Sequence, residues 1–530
     1  MRTALQLLVR LFTARSVDTG IERTVVTDDE GRYKIVKLKP GTYKIRATQK
    51  GFGAVETSEI KTISAQNVEQ TFKLSAADVK AETTVTVTDE DGPVVDTSRT
   101  IVGGTITEKE LEEIPNVSRN PLDLVLTLGG TSEEQLSVNG LAEDKGQTSA
   151  PPLEQGNYSL SGGVAYSNNL TIDGLDNNDD RSSRDRFQPS LESIAEVQVI
   201  QNQFSAEYGR ASGGRINLRT RAGSNKFRGR AFMFYRDAKL NANSWYNNSR
   251  NIPRPPLTDY DPGFTFSGPV RLPFYNGHDR TFFSVAYEFD DVLDTTTIDT
   301  WLPTGSNPKF PLAAPTTTTC PATVTVVTGC TDILSSGTVA ILPYTKDLPT
   351  PNRNHILTAR VDHKLFTNND ITFGFQFGRK KNARTTFAGA TTRLDDALQI
   401  RNSNTEAYNI TDNHVFGARA VNQVRAQYSI FQPSYATNDP LAPVVIISYR
   451  NPLTNGNQTI TAGNSTIAIT GDSTAFPQNR RETRYQIQDN LTLISGNHSL
   501  KFGTDIQRVR SKALGPVSYT HLTLPTKRIV

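Results

Sequence analysis

From Lys226 onward the chain is written in stretches where apolar and polar residues alternate. Ile371, Phe373, Phe375 and Phe377 interleave with Thr372, Gly374 and Gln376; Phe283, Val285, Tyr287 and Phe289 interleave with Ser284, Ala286 and Glu288. A period of two sends successive side chains to opposite faces of a strand. The same style predicts strands over Phe227–Arg236, Phe264–Val270, Arg280–Phe289, Ile356–Leu365, Ile371–Phe377, Thr405–Phe416, Val421–Phe431, Thr483–Ile494 and Leu500–Val509, nine in all. Strands of about ten residues, with turns as short as Thr367–Asn369 opposite long polar loops, favour a transmembrane antiparallel barrel over a soluble sandwich.

The earlier part of the chain is patterned differently. Thr27–Gly31 is a turn, Arg32–Leu38 a strand with Tyr33 and Ile35 on one face, and Lys39-Pro40-Gly41 a second turn. Thr42–Ala47 follows with Tyr43, Ile45 and Ala47 inward, and Thr57–Ile63 and Val68–Leu74 complete a small β-sandwich over residues 19–80. Residues 1–18 show neither a strand nor a clean signal peptide, since Arg10 interrupts the apolar run Ala4–Val9. They stay unassigned, and an incomplete N-terminus is expected. A polar linker over 81–100 carries the β-prone tract Glu82-Thr83-Thr84-Val85-Thr86-Val87-Thr88.

Residues 101–225 predict a mixed α/β unit. Thr107 and Glu110 form a capping box, with Leu111 and Ile114 on one helix face. Asn120 and Pro121 start a second helix that Gly129-Gly130 stop. Short strands follow at Leu170–Asp173, Val197–Ile200 and Arg215–Thr220, with a short helix from Ser190.

Composition narrows the function. With 57 Lys and Arg against 54 Asp and Glu, the net charge of +3 carries no polyanion signature, so no nucleic-acid partner is expected. No apolar run approaches the roughly 18 residues of a spanning helix. The histidines at 278, 355, 363, 414, 498 and 521 are scattered without an HExxH, and neither Glu288 nor Glu406 joins them into a zinc set. No P-loop or nucleophile elbow is present, so the reading is a non-enzyme without cofactor or metal. Cys320 and Cys330 share one Thr/Pro/Gly-rich loop, where a disulfide is expected if the loop is extracytoplasmic and two free thiols are the alternative. The run Asp173, Asp176, Asp179, Asp180 fails as an EF-hand, with Arg181 where Gly is needed and Phe187 where the bidentate Glu belongs. It reads as a solvated polar loop.

Two resemblances then add to this reading. Thr19-Gly-Ile-Glu-Arg-Thr, Asp29-Glu-Gly-Arg-Tyr and Pro40-Gly-Thr-Tyr resemble the carboxypeptidase-regulatory-like β-sandwich. Asn168-Asn-Leu-Thr-Ile-Asp-Gly-Leu-Asp-Asn-Asn-Asp179 resembles the plug signature of Oar-like TonB-dependent outer-membrane receptors. Ser193-Ile-Ala-Glu-Val-Gln-Val, Phe204-Ser-Ala-Glu-Tyr-Gly-Arg-Ala-Ser-Gly-Gly and Thr220-Arg-Ala-Gly-Ser-Asn-Lys-Phe-Arg-Gly follow the plug-to-barrel crossover of that family.

The resemblance implies a mainly β protein in the cell outer membrane: a periplasmic β-sandwich, an α/β plug at 101–225, and over 226–516 the first part of a large transmembrane antiparallel β-barrel. It also implies energised uptake, with outer-membrane lipid, an unidentified extracellular solute and a TonB-type energising protein in the periplasm as partners. Glu82–Thr88 sits where such receptors carry the TonB contact; a domain-closing strand is the alternative. An adhesion or secretion-linked barrel is the second functional class. The family's barrel has near 22 strands, so nine are expected to form a curved open sheet around the plug. Arg215, Arg219 and Arg221 of the plug are expected to face its wall. Val517–Thr526 resembles the translation of a sequencing-library adaptor, so residues 517–530 are read as an artefact and the natural sequence is expected to stop near Pro516.

Overall fold

The computed structural model describes residues 11–74, 85–87, 102–133, 158–303, 318–319, 330–439, 445–450, 464–470 and 478–514, apart from short breaks inside these spans. The N-terminal sheet contains β1 (Leu11–Ser16), β2 (Glu22–Val26), β3 (Gly41–Thr48), β4 (Val55–Thr57), β5 (Ile60–Thr62) and β6 (Val85–Val87). β1 lies between β2 and β3 and is antiparallel to both, while β6 runs parallel along β4.

Tyr43, Ile45 and Ala47 point inward as their alternation requires, joined by Phe12 and Ala14. The Phe12 ring stacks on Tyr33 at 3.9 Å. Leu11–Ser16 corrects the reading that residues 1–18 contain no strand. Its inward set is Phe12, Ala14 and Ser16, and two such small residues give too little amphipathic contrast to register. The expected strands at Arg32–Leu38 and Val68–Leu74 do not join the ladder where they are described, although Tyr33, Ile35, Phe72 and Leu74 still pack on the core.

The next unit comprises β7 (Val102–Thr107), α1 (Glu108–Glu113), a hairpin of β8 (Thr131–Glu133) with β9 (Tyr158–Leu160), then β10 (Asn169–Ile172), β11 (Leu175–Asp176), β12 (Ile194–Asn202) and β13 (Arg215–Thr220). Its main sheet has the order β11-β10-β13-β12-β7, with only β10 and β13 parallel. The capping box forms as expected: Thr107 N–H donates to Glu110 Oε2 at 2.7 Å, and α1 follows with Leu111 buried. The second helix is instead a 3-10 turn over Asp123–Thr127, with Val125 N–H bonded to Leu122 C=O and Leu128 N–H to Val125 C=O. Gly103 is required by close approach, since a Cβ there would lie 2.0 Å from Val199 O. Ile106, Leu111, Val125, Ile172, Val197, Ile216 and Leu218 make the core, each worth about 1.5–3 kcal/mol of burial.

The remaining chain begins with β14 (Arg228–Asp237), β15 (Leu257–Pro269), the hairpin β16 (Arg271–Leu272) with β17 (Tyr275–Asn276), and β18 (Thr281–Pro303). Beside the far half of β18 lie β19 (Thr318–Thr319), β20 (Cys330–Leu334) and β21 (Gly337–Pro349). Then come β22 (Asn352–Phe366), β23 (Asn369–Arg384), β24 (Thr386–Phe387), β25 (Thr391–Arg393), β26 (Gln399–Phe416), β27 (Ala420–Thr437), β28 (Val445–Arg450), β29 (Asn464–Thr470), β30 (Gln478–Ser495) and β31 (His498–Leu514). Nine long strands, β14-β15-β18-β22-β23-β26-β27-β30-β31, make one antiparallel meander whose end strands have a single neighbour each among the described residues.

These are the nine predicted strands, but longer. β18 runs on through Asp294-Thr-Thr-Thr, where the alternation has ended, because β21 continues its ladder. The sheet is inside-out relative to a soluble protein. Met233, Phe264, Phe373, Tyr485 and Ile487 are exposed on the outer face, whereas Glu288, Arg360, Gln376, Gln427 and Arg484 are buried on the inner one. Phe375, Tyr408, Tyr428 and Tyr485 are cross-strand neighbours and form an outward aromatic row with centroids 5.1, 6.2 and 5.2 Å apart. An apolar, aromatic-girdled exterior around a polar lumen is the pattern a bilayer selects.

Burial pushes the phenols of Tyr33 and Tyr43 in the N-terminal sheet up to about 12. Folding therefore favours the protonated phenols, and their contribution is complete below pH 10 and lost as pH rises from 10 to 12. These are the only tyrosines in residues 12–75. Absorbance titration of that excised segment should show both phenols ionising near pH 12, together with unfolding; normal ionisation near 10 in a folded module would contradict their burial.

Candidate functional site

The plug seats its signature segment against the inner face of β30. The segment first makes a tight turn at Asp173 (φ 50°) and Gly174 (φ 86°). Glycine at 174 is demanded twice, by its positive φ and by the Arg425 guanidinium, whose Cζ would lie 3.0 Å from a Cβ. After the turn, Asn177 clamps Phe187 through both main-chain groups, accepting from its N–H at 3.1 Å and donating to its C=O at 2.8 Å. Asn178 does the same to Leu170, at 3.0 Å each way. The two asparagines hold the loop rigid, which leaves the neighbouring carboxylates aimed at the wall.

Those carboxylates meet guanidinium groups. Arg484 on β30 lies 2.8 Å from Asp176 and 2.7 Å from Asp180, and also donates to Asn178 C=O at 3.2 Å. Arg480 grips Asp179 with two bonds of 2.7 Å. From the plug's own side, Arg210 reaches Asp176 at 2.9 Å, and Arg186 donates to Ser429 on β27 at 2.6 Å. With Glu482 between Arg480 and Arg484 at 3.6 Å from each, four acids face four arginines. The charges balance. The reading of Asp173–Asp180 as a solvated loop is corrected: Asp176 and Asp179 are buried, and guanidinium groups stand where a cation would.

A second anchor lies on β22. Arg360 and Asp362, two residues apart and therefore on one face, pair with bonds of 2.8 and 3.0 Å. Arg360 also donates to Thr220 C=O of the plug at 3.2 Å and approaches Asp173 at 3.6 Å. Lys39 of the N-terminal sheet lies 2.9 Å from the same Asp362 and 3.1 Å from Asp370. A third anchor joins Arg119 of the plug to Glu288 of β18 at 3.0 and 3.2 Å.

A barrel-forming sheet with a polar lumen, filled by a plug held through ion pairs, is thus in place. Residues 219–521, more than half of the chain, match the outer membrane beta barrel domain. The chain belongs to that family. Residues 12–75 match the carboxypeptidase regulatory-like domain. Over 226 residues the chain is 30% identical to the TonB-dependent transporter Oar of Myxococcus xanthus, spanning 42% of this chain and 20% of that one. Among solved structures it is similar to the outer membrane transporter YddB of Escherichia coli (12% identity, TM-score 0.49, 78% of this chain and 48% of that one). It is also similar to the ferric enterobactin receptor PfeA of Pseudomonas aeruginosa (13% identity, TM-score 0.45, 78% and 50%). The chain spans a fifth of the curated relative and about half of these structures. As a member of the outer membrane beta barrel family, it resides in the outer membrane.

The other sequence-predicted residues are placed as follows. Of the tract Glu82–Thr88, Val85–Val87 forms the edge strand β6, parallel to β4; Glu82, Thr83, Thr84 and Thr88 lie outside the described residues. Cys330 opens β20, whereas Cys320 lies outside the described residues, as does the tail from 515. Ile216 and Leu218 are in the plug core as expected.

Arg215, Arg219 and Arg221 take their direct partners within the plug, while Arg215 and Arg219 also lie beside wall charges, Arg425 and Asp505 for the first and Arg360 and Asp362 for the second. Arg215 lies over Tyr208 at 4.1 Å, Arg219 is 3.5 Å from Glu196, and Arg221 binds Glu108 and Glu112 at 3.0 and 2.9 Å. The direct plug–wall ion pairs and hydrogen bonds come from wall arginines 360, 480 and 484. Sequence reasoning missed those three, although Arg360 and Arg484 sit on the polar parity of predicted strands; Arg480 precedes the predicted start at Thr483.

Breaking a buried ion pair by removing one partner costs about 3–5 kcal/mol, whereas an exposed pair is worth at most about 1 kcal/mol. Arg484→Met should therefore release the plug to limited proteolysis and lower the unfolding temperature. Lys109→Met, which removes an exposed pair with Glu113, serves as the control and should not. Equal protease resistance in the two variants would show that β30 does not hold the plug.

Proposed function

We propose that this protein acts as an energised outer-membrane receptor. Long loops at one rim bind a solute outside, and force applied from the periplasm shifts the plug to let it through. The observation that carries this reading is the chemistry of the lumen contact. Plug and wall meet chiefly through ion pairs and amide hydrogen bonds, with an apolar contact at Phe187 and Ile356, and water admitted as the plug moves can take over the polar bonds. The N-terminal sheet contacts the rim with the short turns, through Lys39 and through Arg23, 3.4 Å from Asp370, so that rim would be periplasmic.

In this reading Glu82–Thr88 is the segment a TonB-type protein takes hold of, by adding a strand whose backbone bonds bear the load. The pairing of Val85–Val87 with β4 favours the second reading, a strand that closes the N-terminal sheet. The two are compatible, since three residues of parallel ladder are readily exchanged for a longer partner. The transported solute is unassigned, because the architecture does not fix the ligand.

Accumulation of labelled solute by energised cells should fall to background on deletion of residues 82–88. Accumulation that survives the deletion would reject the tract as the site of pull. Binding without accumulation in the unaltered protein would favour an adhesion or secretion-linked barrel. The reading also makes the loop of Cys320 and Cys330 extracellular and oxidised. Mass spectrometry of unreduced peptides from cell envelopes should find the two cysteines joined, and two free thiols would refute the bridge.

A further inference from the structure

On the inner face of β15 and β18, away from the plug signature, acids outnumber bases. Asp259 and Asp261 are two residues apart on β15, hence on one face. Asp290 lies on the adjoining strand, next to the Tyr260–Asp291 pair. All three are buried, at 4%, 8% and 4% exposure, and one oxygen from each lies within 4.8 Å of the others. A separate observation makes the cluster more than a concentration of charge. Asp259 Oδ1, Asp261 Oδ1 and Asp290 Oδ2 are each buried with no N–H or hydroxyl donor, and the Asp261 and Asp290 carboxyls lie in direct contact with each other. Orphaned buried carboxylate oxygens are costly and call for a cation.

The surrounding bases do not suffice. Arg236 Nε donates to Asp259 Oδ2 at 2.6 Å. Arg119 stands 4.0 Å from Asp261 but spends its two hydrogen bonds on Glu288. Glu192 of the plug, 3.7 Å from Arg119, has its own partner in Arg230 at 2.9 Å. Asp290 has no ion pair among the described residues. Asp259, Asp261, Asp290 and Glu288 thus face Arg236 and Arg119, an excess of two negative charges.

We propose that Asp259, Asp261 and Asp290 bind one divalent cation, calcium, at the junction of plug and wall. Three carboxylates and no nitrogen or sulfur select a hard ion. The three oxygens lie within 4.8 Å of one another, close enough for one ion to reach all of them, and calcium accepts an irregular all-oxygen shell where magnesium demands a near-ideal octahedron. Bound there, calcium joins β15 to β18 beside Arg119 and completes the neutralisation of the wall against which the plug rests.

The test uses the full chain folded in detergent, stripped with EGTA and titrated with calcium chloride. Calorimetry should show one calcium per chain, with a rise in unfolding temperature on binding. Asp290→Asn, which keeps the shape and removes one charge, should weaken binding at least about tenfold, and Asp259→Asn should do likewise. Magnesium chloride should raise the unfolding temperature less. Absence of saturable binding by the unaltered folded chain would overturn the site. So would calcium binding by Asp290→Asn equal to that of the unaltered chain. An Asp290→Asn chain as stable without calcium as the unaltered chain is with it, combined with no calcium response in the latter, would mean that shared protons settle these carboxyls instead.

Discussion

The lumen rests on pairing between guanidinium groups of the wall and carboxylates of one plug turn. Arg480 and Arg484 project from β30 into a space that excludes water, where an unpaired charge is very costly. The plug loop supplies Asp176, Asp179 and Asp180 at matching positions, and the asparagines between them are occupied in fixing the loop's own backbone. Neither surface is stable alone in its buried form. A buried ion pair contributes less to net stability than an apolar contact of the same size, but it demands one alignment of its partners. For a plug that must seat in one orientation and still be displaceable, that exchange of strength for specificity is favourable.

The same constraint explains the sheet around it. A strand whose inner face is committed to arginine, glutamate and glutamine can satisfy its outer face only with apolar groups if that face meets lipid. β30 shows the result residue by residue: Arg484 and Gln486 are buried, and Tyr485 and Ile487 are exposed. In water the arrangement would leave contiguous aromatic surface uncovered, as in the row from Phe375 to Tyr485. In a bilayer that surface is solvated by acyl chains, and the strands of the meander interior pair their backbones with a neighbour on each side.

How much of this was legible in the sequence depended on the distance over which each signal acts. The nine strands were visible because alternation is local. The capping box of Thr107 and Glu110 was visible because its partners are three residues apart. The overrun of β18 was not, since the residues that prolong it, in β21, come after a long insertion and carry no periodicity of their own. β1 was missed because its buried positions include Ala14 and Ser16, which look alike in strand, turn and loop. The acidic signature was misread as solvated for the clearest physical reason: the groups that neutralise Asp179 and Asp176 lie about three hundred positions later, in Arg480 and Arg484. Pattern reading showed that β30 alternates, but not which plug turn would face its polar side.

The second anchor has a consequence that the first does not. Asp362 is shared: its carboxylate accepts from Lys39 of the N-terminal sheet, from Arg360 beside it and from Thr372 on β23. Arg360 in turn holds Thr220 and approaches Asp173 in the plug, at the end of β13 and the turn that opens the acidic signature. N-terminal sheet, wall and plug are therefore joined through one buried carboxylate and one buried guanidinium. Lys39, Arg360 and Thr372 all draw on one acceptor in a medium where each bond matters, so the contacts of the N-terminal sheet and of the plug meet at the same wall residues.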